Sequence, residues 1–244
     1  MSTAAARVLR ARGIQPAFLA GHSLGEYSAH VAAGTLSLAD ALRTVRSRGR
    51  YMQAAVPVGA GAMAAVLGLD AALVARACAE AAQGQIVSPA NLNAPGQIVI
   101  AGVRAAVERA GDRARALGAR RVVPLAVSAP FHCALMQPAQ ERLALDLRGL
   151  VVSDPTVPVV ANLDAEPKRD GAASIAALVG QVTAPVRWEE VVRRLASEGV
   201  DTYVEVGSGS VLSGLIRKID RGARVLSVTD SAGVDDAVSV LDIS

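Results

Sequence analysis

The amino-acid sequence predicts an α/β protein with a mostly parallel sheet and a smaller inserted βαββαβ unit. Residues 17–20 form a short apolar run, and a Gly-x-Ser-x-Gly pentapeptide and a segment with helical spacing follow directly. Residues 57–128 alternate in the order strand, helix, strand, strand, helix, strand. From 138 to 228, short apolar strands alternate with helices, which is typical of a parallel sheet covered on both faces.

The elements before residue 57 surround the pentapeptide. We expect a first surface helix that leads into the strand at 17–20, and a second helix directly after the pentapeptide. A third helix is predicted over 39–55, where apolar residues recur at helical spacing. Proline and glycine residues at 57–61 then interrupt the helical pattern and indicate a boundary.

The segment 57–128 predicts a ferredoxin-like subdomain. Its strands are expected at 62–69, 86–92, 97–103 and 121–127, and its helices at 71–82 and 105–117. The larger part, 1–56 and 129–244, is expected to form the core that carries the pentapeptide. Its later elements are predicted as helices at 138–147, 175–182, 188–195 and 211–219, and strands at 157–163, 203–206 and 225–228.

Composition argues against several classes of protein. No apolar run approaches the roughly 20 residues of a membrane span, so no membrane association is expected. The sequence has no basic run that contains aromatic residues, which argues against nucleic-acid binding. The formal charge of +3 suits an acidic partner or a phosphate-bearing substrate. Cys78 and Cys133 are far apart and lack metal-ligand spacing, so a reducing, cytoplasmic compartment and no metal are expected.

The pentapeptide Gly21-His22-Ser23-Leu24-Gly25 predicts a nucleophile elbow. In such an elbow the serine lies on a sharp turn between a strand and a helix. Gly21 and Gly25 lack β-carbons, so we expect both to let the strand and helix approach each other. The main-chain N–H of Leu24 is a candidate oxyanion donor, and the N-terminus of the helix favours negative charge there. The second donor normally comes from an upstream loop, but the roughly 20 preceding residues look helical.

A serine nucleophile needs a base within hydrogen-bond reach, and the chain has three histidines. His22 is adjacent to Ser23 and is expected to orient the turn. His30 lies about 10 Å further along the helix, at about 1.5 Å per residue. His132, in a loop after a strand, is therefore the predicted base.

The other ring nitrogen of such a base needs a hydrogen-bond acceptor. No acidic residue stands out close to His132 in the sequence. Glu205 and Asp164 are candidates, and a backbone carbonyl could accept the same proton.

Six motifs are spread over nearly the whole chain. They are GHSLGEYSA at 21–29, RGRYMQ at 48–53, GAMAA at 61–65, NLNAPGQIVIAG at 91–102, SAPFHCALM at 128–136 and EVGSG at 205–209. With these motifs, in family order, the sequence resembles the malonyl-CoA:acyl-carrier-protein transacylases of fatty-acid synthesis. The resemblance implies an α/β-hydrolase-like core with an inserted ferredoxin-like subdomain.

The resemblance implies roles for individual residues. Ser23 is implied as the nucleophile, His132 as the base, and Arg48 as the group that pairs with the malonyl carboxylate. A planar guanidinium suits a carboxylate because it can donate two parallel hydrogen bonds. Gln181 matches the position whose backbone carbonyl accepts from the histidine. The remaining implied residues lie near the cleft or restrict the acyl group, and they are Asn91, Asn93, Asn162 and Phe131.

Two features distinguish this chain from some or all members of the family. Members carry an N-terminal Gly-Gln-Gly segment whose glutamine N–H completes the oxyanion hole, and this sequence shows no such segment. We therefore expect an N-terminal truncation, an exposed sheet edge and slower transfer. Phe131 precedes His132 where some relatives have serine, and its ring favours malonyl over α-methylated malonyl groups.

The predicted function is transfer of malonyl from malonyl-CoA to the phosphopantetheine thiol of acyl carrier protein through a malonyl-serine. No bound cofactor is expected, and a monomer is expected. A serine esterase or thioesterase is the alternative enzyme, although a hydrolase of neutral esters does not need a buried Arg48. The other alternative is an inactive fragment that only docks acyl carrier protein.

Overall fold

The computed structural model describes residues 1–241, and within them the chain forms ten α-helices and nine β-strands. The helices are α1 (Ser2–Ala11), α2 (Gly25–Ala32), α3 (Leu38–Ala54), α4 (Ala71–Ala82), α5 (Arg104–Ala116), α6 (Gln137–Arg148), α7 (Gly171–Gly180), α8 (Trp188–Ser197), α9 (Val211–Ile219) and α10 (Ser231–Val240). The strands are β1 (Leu19–Ala20), β2 (Gly61–Leu67), β3 (Val87–Ala94), β4 (Gln97–Val103), β5 (Arg121–Pro124), β6 (Val159–Val160), β7 (Pro167–Lys168), β8 (Thr202–Val206) and β9 (Arg224–Val228).

The βαββαβ order predicted between β2 and β5 is confirmed. The four strands form one antiparallel sheet in the order β3-β4-β2-β5. Helices α4 and α5 pack on this sheet around a cluster of small aliphatic side chains. Asp70 caps α4 by accepting a hydrogen bond from the Leu73 N–H at 2.8 Å. The division into parts at 57 and 128 stays a prediction.

The strands of the larger part are arranged differently from the prediction of one sheet. Among residues 1–241, β1 pairs in parallel with β6, β6 pairs antiparallel with β7, and β8 pairs in parallel with β9. The strands therefore form two separate sheets. A cavity of about 1,020 Å³, lined by residues of both β1 and β8, lies between the two sheets.

Several elements depart from the predicted bounds. The strand expected at 157–163 is reduced to the two residues of β6. Helix α7 begins four residues earlier than predicted, because Asp170 caps it by accepting from the Ala173 N–H. The prediction missed β7, which has only two residues, and α10.

One apolar cluster fixes the helices that carry the candidate site. Buried Tyr27, Met52, Leu143 and Leu178 join α2, α3, α6 and α7. These side chains exclude water and hold the four helices at fixed separations. No helix within residues 1–241 is long and apolar enough to span a membrane.

Candidate active site

The predicted elbow is present between β1 and α2. Ser23 has a φ of 53°, a left-handed conformation that is rare for a residue with a β-carbon. A β-carbon at Gly21 would lie 2.1 Å from the carbonyl carbon of Gly25, so the turn requires glycine at 21. The expectation for Gly25 is wrong, because a β-carbon there would meet no atom within 4 Å.

His132 lies against Ser23, as predicted. The Nε2 atom of His132 is 2.7 Å from the Ser23 Oγ. His132 is buried, and like Ser23 it has a positive φ, of 59°. Two strained residues thus face each other, which is common where the surrounding structure fixes a reactive geometry.

The tautomer of His132 follows from its second contact. Its Nδ1 is 3.0 Å from the main-chain oxygen of Gln181. A carbonyl oxygen only accepts, so Nδ1 carries the proton and Nε2 is free to accept from the serine hydroxyl. Burial and the nearby Arg48 guanidinium lower the pKa of His132 to about 3, so the ring is neutral at physiological pH.

The acidic candidates for this acceptor position are wrong. Glu205 accepts hydrogen bonds from the main-chain N–H groups of Leu212 and Ser213 at the start of α9. Asp164 pairs with the ammonium group of Lys168 at 2.5 Å. Each carboxylate therefore has another partner. The acceptor beside the His132 Nδ1 is instead the main-chain carbonyl of Gln181, which agrees with the alternative of a backbone carbonyl.

Arg48 points from α3 into the same site. Its Nη2 donates to the Ser23 Oγ at 2.9 Å and to the Gln181 side-chain oxygen at 3.1 Å. Its guanidinium carbon lies 5.7 Å from the centre of the Tyr27 ring. Arg48 is 6% exposed, which makes it a buried cation beside the nucleophile rather than a solvated helix arginine.

Asn162 supports the elbow. Its side-chain oxygen accepts from the Ser23 N–H at 2.6 Å, and its amide nitrogen donates to the Gly21 carbonyl at 2.8 Å. Both ends of its amide therefore hold the strained turn. Asn162 is therefore not simply a polar residue of its own loop, because both hydrogen bonds reach the distant elbow.

The other two asparagines connect the small sheet to the core. Asn93 lies 2.8 Å from the Nε2 of His22, whose ring is also 5.7 Å from that of Trp188. The orienting role of His22 stays a prediction. Asn91 bridges in parallel to Val186 and is buried, but it does not contact Ser23 through any hydrogen bond among residues 1–241.

Phe131 and Leu24 flank the reactive pair. Phe131 is half-buried and packs against two apolar clusters, one in the core and one under the small sheet. Among residues 1–241, the main-chain N–H of Leu24 has no acceptor, so it is available to an oxyanion. His30 is buried in α2, and its two ring nitrogens have no partner within the described part of the chain.

Sequence reasoning missed Glu26. This carboxyl group lies fully buried in the first turn of α2. Its Oε2 accepts from the Asn162 N–H at 2.8 Å and from the Gln181 Nε2 at 2.9 Å. Burial raises the pKa of Glu26 to about 7, although these hydrogen bonds oppose the change. Its position in the helical pattern gave no sign of burial, because an acidic residue in a first turn is usually exposed.

A comparison with known families agrees with the α/β fold and the serine elbow. The family model described as the acyl transferase domain matches residues 1–234 of this chain. The chain belongs to this acyl transferase family.

Two curated relatives carry the same name. A malonyl CoA-acyl carrier protein transacylase of Salmonella typhimurium is 50% identical over 227 residues, which are 93% of this chain and 74% of that protein. The protein of the same name from Bacillus subtilis is 47% identical over 230 residues, covering 94% of this chain and 73% of that one.

Solved structures of the same kind are similar in fold. A malonyl-transacylase solved with its type II PKS acyl-carrier protein superposes with a TM-score of 0.96 at 48% identity, covering 98% of this chain and 78% of that chain. The malonyl CoA-acyl carrier protein transacylase of Coxiella burnetii gives a TM-score of 0.95 at 42% identity, with 98% and 76% covered.

Proposed function

We propose that this chain transfers a malonyl group from malonyl-CoA to the thiol of acyl carrier protein through a malonyl-Ser23 intermediate. One observation carries the proposal: the Ser23 Oγ lies 2.7 Å from the His132 Nε2 and 2.9 Å from the Arg48 Nη2. A nucleophile, a base and a buried cation therefore meet at one atom. The names of the similar proteins support the same substrate pair.

In the first half-reaction, the Ser23 Oγ attacks the thioester carbonyl of malonyl-CoA. Its proton moves to the Nε2 of His132, and the Gln181 carbonyl stabilises the resulting imidazolium through Nδ1. The Leu24 N–H and the N-terminus of α2 stabilise the negative oxygen of the tetrahedral intermediate. When the C–S bond breaks, the coenzyme A sulfur takes the proton from His132, and the malonyl ester remains on Ser23.

The second half-reaction repeats these steps in reverse with a new thiol. The phosphopantetheine thiol of acyl carrier protein gives its proton to His132 and attacks the malonyl-serine carbonyl. Collapse of the intermediate breaks the C–O bond, and His132 returns a proton to Ser23. On the protein side these steps use only side chains and main-chain groups of this chain, so the proposal includes no bound cofactor.

Arg48 accounts for the choice of acyl group in this proposal. Malonyl carries a free carboxylate, and a guanidinium can hold it with two parallel hydrogen bonds. In a buried site this attraction is stronger than in water. A serine esterase of neutral substrates gains nothing from a cation at this place, so Arg48 favours the transferase over that alternative.

Peptide mass spectrometry tests the nucleophile. After incubation with malonyl-CoA, the peptide that contains Ser23 should gain one malonyl group, and Ser23→Ala should gain none. Ser28→Ala is a matched control in α2, five residues after Ser23, and should label as the unchanged chain does. An adduct that persists in Ser23→Ala would place the nucleophile elsewhere.

Substrate comparison tests the carboxylate partner. Arg48→Ala should lower kcat/KM for malonyl-CoA by at least about 30-fold more than for acetyl-CoA, because truncating one partner of a buried charge pair costs about 2–5 kcal/mol. Arg50→Ala, an exposed arginine on the same helix, should change neither value much. Equal losses for the two substrates in Arg48→Ala would make this arginine structural.

A further inference from the structure

Glu26 is a buried carboxyl group that the proposed reaction does not use. It lies three residues after Ser23 and is fully buried. Its Oε2 receives two hydrogen bonds, one from the segment after β6 and one from the residue that follows α7. A buried carboxyl group is costly unless hydrogen bonds offset its desolvation, so this placement needs a reason.

The contacts of Gln181 supply the reason. Its side-chain nitrogen donates to the Ser23 carbonyl at 3.0 Å and to Glu26 at 2.9 Å, and its side-chain oxygen accepts from Arg48 at 3.1 Å. The Ser23 carbonyl can only accept a hydrogen bond. The Glu26 Oε2 also acts as an acceptor here, because it already accepts from the main-chain N–H of Asn162. The amide nitrogen must therefore face these two atoms, and the amide oxygen must face the guanidinium.

Reversing this amide has a clear penalty. The NH₂ group would then point at the Arg48 guanidinium, donor against donor, and the amide oxygen would point at the Glu26 Oε2, acceptor against acceptor. Unmatched polar groups in a dry site cost more than the same mismatch at a surface. Glu26, together with the Ser23 carbonyl, therefore determines which end of the Gln181 amide supports Arg48.

We propose that Glu26 is a positioning residue that, through the Gln181 side chain, holds the Arg48 guanidinium beside Ser23 and so maintains the preference for acyl groups that carry a carboxylate. This inference rests on the proposed function, because the preference concerns malonyl transfer. Glu26 does not touch the reacting atoms. What Glu26 supplies is a hydrogen-bond acceptor for the Gln181 side-chain nitrogen, rather than a charge.

Two substitutions at Glu26 separate these contributions. Glu26→Gln keeps a side-chain oxygen that can accept both hydrogen bonds, whereas Glu26→Met has similar length and no such acceptor. The ratio of kcat/KM for malonyl-CoA to that for acetyl-CoA is measured for each. We expect Glu26→Met to lower this ratio by about 10-fold or more, mainly by raising the KM for malonyl-CoA, since hydrogen bonds to charged groups are worth that much. Glu26→Gln should keep the ratio within about threefold.

A fluorophosphonate that reacts with activated serines supplies the independent readout. This probe has no carboxylate, so its rate reports on the reactivity of Ser23 and His132 without the pairing of Arg48 with a substrate carboxylate. If the unchanged chain reacts with the probe but takes up no malonyl, the proposed function fails, whatever the role of Glu26. If the chain transfers malonyl and Glu26→Met reacts with the probe yet keeps the ratio, the inference is overturned.

A second variant covers the case in which Glu26→Met does not fold. Gln181→Met removes the amide but keeps the main-chain carbonyl that faces His132. It should lower the malonyl-to-acetyl ratio as Glu26→Met is expected to do. An unchanged ratio in Gln181→Met overturns the inference, and so does a Glu26→Gln ratio as low as that of Glu26→Met, because the charge would then be the cause.

Discussion

Gly21 and Gly25 flank the same serine, but the structure gives them opposite tolerance to alanine. At Gly21 a β-carbon would lie 2.1 Å from the Gly25 carbonyl carbon, 2.2 Å from its oxygen and 2.6 Å from the Glu26 nitrogen. Ordinary contacts of this kind are at least about 3.4 Å, and all three atoms belong to the main chain. Gly21→Ala therefore must push the strand and helix apart by about 1 Å.

Two effects on Gly21→Ala follow from that displacement. Overpacking of a well-packed site costs about 1–3 kcal/mol of stability. A shift of about 1 Å in the nucleophile costs about 100-fold in rate. We expect a lower midpoint of thermal unfolding and a fluorophosphonate labelling rate of Ser23 reduced by about that factor.

Gly25→Ala is the matched control for this substitution. Its β-carbon meets no atom within 4 Å, and the residue is the first of α2. Alanine in a helix is favoured over glycine by up to about 1 kcal/mol, so this variant should be at least as stable as the unchanged chain and label at a similar rate. If the two variants lose stability and labelling rate equally, close approach of the main chains is not what requires glycine at 21.

Two further predictions concern the ring side chains of His30 and Phe131. Burial lowers the pKa of His30 from 6.5 to about 4, so the unfolded chain takes up this proton first as the pH falls, and the free energy of unfolding should drop by about 3 kcal/mol between pH 7 and pH 4 from this group. His30→Phe should remove that part of the pH dependence when the free energy of unfolding is measured by urea titration at each pH. If the free energy of unfolding of His30→Phe falls with pH as steeply as that of the unchanged chain, the prediction is wrong. Phe131→Ser should raise the relative kcat/KM for methylmalonyl-CoA by opening space beside His132, and competition between the two thioesters measures it; an unchanged ratio would show that the ring does not limit the acyl group.

Local patterns in the sequence were sufficient for much of the fold. The bounds of α4 and β4 are as predicted, since apolar periodicity and flanking turn residues both report geometry within a few positions. The two-residue strands β6 and β7 are too short to produce a period. Pairing between distant strands leaves no local signal either, so the separation into two core sheets could not be predicted.

The candidate site divides in the same way. Ser23 was predicted from its pentapeptide, and His132 by elimination among three histidines, because both arguments need few residues. Glu26 could not be found, since its burial depends on Asn162 and Gln181, which lie 136 and 155 residues further along the chain. The burial of Arg48 likewise depends on partners from other segments, and the sequence alone offers 23 arginines to choose from.

The residues around Ser23 explain how a strained turn persists. Its φ of 53° is unfavourable for a residue with a β-carbon, and within the turn itself the Ser23 carbonyl accepts one hydrogen bond, from the Glu26 N–H at 3.2 Å. Asn162 holds the Ser23 N–H, and Gln181 holds the Ser23 carbonyl, so two distant segments fix both sides of the same residue. Glu26 in turn holds both of those segments. The geometry of the nucleophile is therefore set by tertiary contacts. A substitution that removes these hydrogen bonds from any of the three side chains is expected to relax the turn and slow the labelling of Ser23, even where Ser23 and His132 are unchanged.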